Sequence, residues 1–224
     1  MHLTTDSLNA IPQRQRTALI NSLSGYKSAN LLGTRSAALQ ENLAMISSCF
    51  HLGADPALLG MIMRPHSVQR HSLEYLQETG VYTLNHVHAE MLTAAHQCAA
   101  RYPRQISEFA ATGLTPDYLD GFAAPFVAES RIRLGLSVAE IQPLKINRTV
   151  LVIGRIEHVV LPDAVLAEDG LVDIEKAGSL AVSGLDSYHA GQRLVRFSYA
   201  KPDRLPSPLQ TRYTSGNPNP RGID

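Results

Sequence analysis

Between Asn42 and His71 the sequence reads NLAMISSCFHLGADPALLGMIMRPHSVQRH, and its polar residues are of the kinds that hold a phosphate. Ser47 and Ser48 supply hydroxyls. Arg64 and Arg70 supply planar forks of donors, and His66 and His71 place two imidazoles in the same cationic run. Ser72 then opens a helix whose first turn carries Glu74. The unpaired N–H groups and dipole of a helix start favour negative charge, and arginine matches the geometry of phosphate oxygens. Taken singly, each residue also suits a solvated loop or a strand edge. Their clustering is what points to an anion.

Other constellations are weaker. Five of the nine histidines, at 66, 71, 86, 88 and 96, fall within 31 residues. His86-x-His88 places two rings on one face of a strand, with Glu90 as a third metal ligand, but the repeated ligand signature of structural zinc is missing and no metal is expected. Cys49 and Cys98 are too few for a disulfide scaffold and suit a reducing compartment. A nucleophilic role for Cys49 conflicts with its apolar strand setting, which raises a thiol pKa. The sequence has no nucleophile elbow and no Gly-rich dinucleotide fingerprint. In GLDSYH, Gly184 to His189, an irregular stretch presents Tyr188 and His189 to a cavity of the same or a neighbouring subunit.

Several elements must position these groups. Pro12 starts a cap helix with Ala18, Leu19 and Leu23 on one face, ended by Ser24-Gly25. Ala29 to Gly33 is a short strand that pairs with residues 41–52, a strand closed by Gly53 and Asp55-Pro56. Ala57 to Met63 returns as the second arm of a hairpin. A helix over 72–78 stops at Gly80, a strand follows over 81–87, and an amphipathic helix spans 90–101. Residues 106–121 alternate turn signals with short apolar pieces and suit a lid. Strands are expected over 127–136, 139–144 and 149–161, so the second half is β-rich.

The 224 residues carry 20 basic and 20 acidic side chains. Zero net charge gives no footprint for nucleic acid or an acidic membrane surface. The N-terminus lacks the basic-then-apolar order of a signal peptide, and no stretch approaches about 18 apolar residues, so a soluble cytoplasmic protein is expected. Five prolines from Pro202 to Pro220 keep the tail, 201–224, out of regular structure.

Taken in order, NLLGTR, NLAMISSCFHLG, ALLGMIMRP, ETGVYTLNHV and GLDSYH make the chain from Tyr26 to Tyr199 resemble the flavin reductase-like family. The resemblance implies a mainly β fold with peripheral helices, an FMN-binding split β-barrel of Greek-key type. Its domain would span 26–200, between an N-terminal helical extension, 1–25, and the Pro-rich tail, 201–224. It implies FMN held by Gly33 and Thr34, by Asn42, Leu43, Ala44 and Met45 under the ring, by Ser47 and Ser48 near the ribityl chain, by Arg64, Arg70 and His71 at the phosphate, and by Asn85. Catalytic candidates beside the ring are His86, Tyr188 and His189. The implied activity is hydride transfer from NADH or NADPH to bound flavin and on to free flavin or a small acceptor, in a homodimer with FMN in a groove between subunits. The alternatives are an FMN-binding electron carrier or sensor without turnover, and a binding module with no flavin. The segment 89–124 is longer than a minimal reductase of this type needs and leaves the acceptor open.

Overall fold

In the computed structural model, which describes residues 1–65 and 71–213, the chain opens with two short helices, α1 (Thr5–Ala10) and α2 (Gln13–Leu23). Pro12 precedes α2 as its sequence suggests, but neither helix buries a residue. The apolar face expected of Ala18, Leu19 and Leu23 has no core to meet, and Leu23 is 70% exposed. What holds α2 is its C-terminal end. The Lys27 ammonium donates to the carbonyls of Asn21 and Gly184, each at 2.9 Å, where a cation complements the helix dipole.

After β1 (Lys27–Ser28) and β2 (Asn30–Arg35), the strand expected over 41–52 divides into β3 (Glu41–Ile46) and β4 (Cys49–Ala54). Ser47 and Ser48 break it. β3 pairs with β2, whereas β4 forms a hairpin with β5 (Ala57–Met63). Helix α3 (His71–Thr79) ends at Gly80, whose φ of +72° suits glycine, and β6 (Val81–His86) follows. A 3₁₀ turn precedes α4 (Leu92–Gln97), shorter than the expected 90–101 helix. Next come α5 (Glu108–Thr112), β7 (Pro116–Asp117) and β8 (Phe126–Val127).

The expected strands 127–136 and 139–144 are instead one long β9 (Arg133–Pro143), paired with β10 (Val150–Val160). A bulge at Ala139 explains the continuity. Val138 pairs with Gly154 and Glu140 with Ile153, so Ala139 is unmatched, and Val138 and Ile141 both pack on the same core despite their odd spacing. GLDSYH, expected to be irregular, forms the turn and second arm of the hairpin of β11 (Leu180–Ser183) and β12 (Ser187–Ala190), which joins β1 in a small sheet. Beyond it, residues 191–213 make only isolated strand pairings among the described residues. They are tied to the body through Asp173, which pairs with Arg193 at 3.0 Å and accepts from Tyr213.

The main sheet has the order β3-β2-β6-β9-β10-β5-β4. Consecutive strands β3 and β4 therefore lie at its opposite edges, two residues apart in sequence. The sheet must curl until those edges nearly meet, which makes a barrel with an open seam. Leu32, Tyr82, Leu84, Leu136 and Val152 pack inside with Leu73 and Leu76 of α3. On the other face Leu31, Leu43 and Val87 pack against Met91, Ala95, Cys98 and Phe109. Central strands are thus buried on both sides, and their polar residues must find partners. The Thr83 hydroxyl donates to Pro125 O at 2.6 Å, and Asn85 donates to Leu31 O and accepts from Val127 N–H at 3.0 Å.

Gly33 lies where that outer layer approaches most closely. A Cβ there would stand 2.2 Å from the Pro125 carbonyl oxygen, a backbone atom with no room to yield. Gly33→Ala is expected to destabilise the fold by about 1–3 kcal/mol through overpacking. Thermal unfolding followed by circular dichroism checks this, and an unchanged melting temperature would contradict the close approach.

Candidate functional site

At the seam the chain encloses a cleft of about 900 Å³. Its first wall is β3 and the Ser47-Ser48 corner, its second the end of β5 with Arg64 and the start of α3, and its third the segment after α4 together with β12. The wall formed by β3 is an edge strand. Leu43 N–H is bonded to Glu108 Oε2 at 2.9 Å instead of to β2, so the main-chain groups of Leu43 and Met45 point away from the sheet. Such an edge leaves backbone donors and acceptors for a ligand.

The polar wall is partly committed. Asn42 is buried and donates to Ser72 Oγ at 2.8 Å, which fastens β3 to the start of α3. The Ser48 hydroxyl donates to Ile62 O at 2.8 Å and stitches the corner to β5. Ser47 and Arg64, by contrast, have no side-chain hydrogen bond among the described residues. His71 is more telling. Its Nε2 is buried with no partner among the described residues, a costly arrangement for a ring nitrogen unless something fills the cleft. Burial, and then the positive charge of Arg104, hold the His71 pKa below its usual value, so the ring is neutral and keeps one N–H to give.

Among the described residues the charged lining consists of Lys27, Arg64 and Arg101 against one acid, Glu108. Lys27 and Arg101 have no carboxylate partner among the described residues. A cleft of this size suits a cofactor-sized ligand, since such sites usually span roughly 300–1,000 Å³. Its charge suits an anion.

Of the residues singled out in the sequence, the structure gathers Asn42, Ala44, Met45, Ser47, Ser48, Arg64, His71 and Tyr188 around this cleft. Gly33, Thr34, Leu43, Asn85, His86 and His189 lie outside its lining. Gly33, Thr34 and Asn85 are buried in the sheet. His86 donates to or accepts from Ser179 Oγ at 2.9 Å, and burial drives its pKa down to about 4, so it is neutral. His189 packs against Tyr26 and meets Ser183 Oγ at 2.8 Å. His66 and Arg70 fall outside the described residues. His88 is engaged by Glu129 O at 2.9 Å, and among the described residues no three potential ligands converge on a metal position. Both thiols are inert by burial, which pushes Cys49 and Cys98 up to about 11.

Lining residues that the sequence did not announce are Lys27, Arg101, Tyr102 and Glu108, and His96, noted only within the histidine cluster, joins them. They arrive from elements distant in sequence. Only Glu108 carried a local sign, since Ser107 is a helix cap whose hydroxyl accepts from Phe109 N–H, and an acid after it is ordinarily solvated.

Comparison with known proteins agrees with the barrel. Residues 24–178 match the family described as flavin reductase like domain. A solved structure from Shewanella frigidimarina, provisionally assigned as a flavin reductase with a split barrel domain, is 48% identical and superposes with a TM-score of 0.86, covering 89% of this chain and 100% of its own. Component B of nitrilotriacetate monooxygenase from Bacillus cereus shares the fold at 17% identity, with a TM-score of 0.77 over 88% of this chain and 98% of its own. So does the 2-nitrobenzoate 2-nitroreductase of Pseudomonas fluorescens, at 19% identity and a TM-score of 0.76 over 92% and 99%.

Burial raises the pKa of Glu108 from 4.5, although the Leu43 N–H bond opposes the shift. A carboxyl whose folded-state pKa is raised stabilises the fold while protonated, and that stability is lost as pH rises through and beyond the ordinary carboxylate value. Glu108→Gln keeps an acceptor for Leu43 N–H and removes the charge. Relative to the variant, the wild type is therefore expected to lose stability between about pH 4.5 and neutrality. Melting temperatures measured for both proteins across that range decide it, and a constant difference at every pH would refute a desolvated carboxylate.

Proposed function

The chain belongs to the flavin reductase like domain family, and from that premise we propose that it is an FMN-binding oxidoreductase that takes hydride from NADH or NADPH and passes electrons to free flavin or another small acceptor. The observation that carries the reading is the buried His71 Nε2, without a hydrogen-bond partner among the described residues, in a positively charged cleft that Arg64 and Ser47 also line. These residues fit the cofactor. Arg64, Ser47 and the neutral His71 N–H would receive its phosphate, and Ser48 and Asn42 would keep the two walls in register around its ribityl chain. Arg70 and His66, adjacent in sequence, extend the same cationic run.

The outward-facing main chain of Met45 would meet the polar edge of the ring, and Ala44 would leave room for it. Bound FMN supplies a ring that accepts hydride and releases electrons. The chain's part is to hold that ring with one face open, which asks for no nucleophile, and the inert thiols accord with this. Gly33, Thr34, Leu43 and Asn85 act one step back, by fixing the geometry of β2, β3 and β6. A nicotinamide or acceptor would lie against the wall that α4 and β12 form. We place the working domain at 26–200, with 1–25 and 201–224 as extensions, and propose a homodimer in the cytoplasm, where exposed Leu194, Phe197, Tyr199 and Leu205 on the C-terminal arm would be covered by a second copy.

Purified protein should be yellow or become so on titration with FMN, and it should oxidise NADH or NADPH with a flavin or dye as acceptor. Colour without turnover would indicate an electron carrier, and a colourless protein that ignores FMN would overturn both. Arg64→Ala is expected to weaken FMN binding by roughly 10- to 100-fold, the loss of a charge-assisted contact of about 1.5–3 kcal/mol. Fluorescence titration measures it, and unaltered affinity would remove Arg64 from the phosphate site.

A further inference from the structure

Where α4 and β12 line the cleft, the hydroxyl of Tyr188 meets Nδ1 of His96 at 2.7 Å. The two residues come from β12 and α4, and their rings cross edge to face with centroids 5.6 Å apart. His96 is exposed, whereas Tyr188 is half-buried against the outer core. One end of the pair therefore touches water and the other touches the cleft. Ile20, Val182 and Leu185 give the same side an apolar wall.

From this arrangement we infer that Tyr188 is a proton donor to the acceptor, recharged by His96, and that the acceptor is a conjugated carbonyl or quinone. The inference rests on the oxidoreductase reading, which supplies the hydride. Hydride arriving at the far end of such an acceptor forms a C–H bond and pushes an electron pair onto the carbonyl oxygen. That oxygen takes the Tyr188 proton as the phenolic O–H bond breaks. The phenolate then takes the proton on His96 Nδ1, and water restores it to the exposed ring.

Two other acidic groups in the cleft are poor proton sources. Burial holds the Cys98 thiol protonated, and Glu108 is bonded to Leu43 N–H. The charged and titratable groups around the pair are Lys27 on β1, Arg101 and Tyr102 after α4, Glu108 on α5 and Asp186 on the β11–β12 turn. A structural fastener would use the same contact, so the test must separate packing from proton donation. Tyr188→Phe keeps the ring and removes the hydroxyl.

With FMN-loaded protein, the ratio of benzoquinone to ferricyanide turnover should fall at least tenfold in Tyr188→Phe, because ferricyanide takes electrons without a proton and general-acid assistance is usually worth roughly 10²–10⁴-fold. In a second readout that needs no turnover, the carbonyl stretch of bound acetophenone should be lowered in the wild type and should return toward its solution value in Tyr188→Phe. His96→Asn should keep that infrared shift, lower the quinone ratio, and recover it with added imidazole. An unchanged ratio and an unchanged infrared shift in Tyr188→Phe would overturn the inference alone. A wild-type protein that reduces neither acceptor would overturn the oxidoreductase reading. If Tyr188→Phe does not fold, His96→Asn decides: a ratio that stays at the wild-type level refutes the relay.

Discussion

Two residues, Ser47 and Ser48, separate strands that belong to opposite edges of one seven-stranded sheet. That connectivity constrains everything else. A flat sheet would need a connection spanning its full width, so the sheet has to close on itself, and closure leaves two edges facing each other without a ladder between them. Edge strands expose unpaired main-chain groups. Here they are covered in part by Glu108 on the β3 side and by the Ser48 hydroxyl at the corner. What remains uncovered is the cleft. The cleft is thus a product of the barrel's incomplete closure, not an addition to it.

Closure also fixes what lies on the outer face. Because β2 and β6 are walled on both sides, the segment after β6 has to supply an outer core, and Met91, Ala95, Cys98, Phe109 and Leu114 do so. The same segment then ties itself to the barrel through polar contacts. Arg104 pairs with Glu74 of α3, its carbonyl accepts from Gln40, and Gln40 in turn accepts from the Tyr75 hydroxyl at 3.1 Å. The stretch that reads as a lid, 106–121, is itself fastened to β3, where Glu108 accepts from Leu43 N–H and the Tyr118 hydroxyl donates to Glu41 at 2.6 Å.

Local signals were legible wherever one element set its own limits. The β4–β5 hairpin turn at Asp55-Pro56, the stop of α3 at Gly80 and the apolar run of β5 were all readable from neighbouring residues. Failures arose where a distant partner decided. The 41–52 run looks like one strand because nothing within it shows that its halves serve opposite edges. Residues 127–144 look like two strands because the extra residue at Ala139 shifts the apolar parity, and only the facing strand shows that the ladder continues. GLDSYH looked irregular because its hairpin depends on β1, more than 150 positions earlier. The part of the cleft lined by Ser47, Ser48, Arg64 and His71 was legible because these residues lie close together in sequence. On the other side Tyr188 was singled out, but not its contact with His96, because the two are 92 residues apart; nor could the strand over 81–87 show that its polar side would be walled in.

The strand order has a consequence for how the molecule is made. β6 and β5 each find their second neighbour only in the β9–β10 hairpin, β6 through β9 and β5 through β10. As the chain leaves the ribosome, the two early hairpins therefore emerge with bare apolar edges and wait until residue 160 has been synthesised. Such long-range pairing slows folding and leaves edges open to other chains. The β9–β10 hairpin acts as a keystone, and newly made protein would depend most on chaperones in the interval before it arrives.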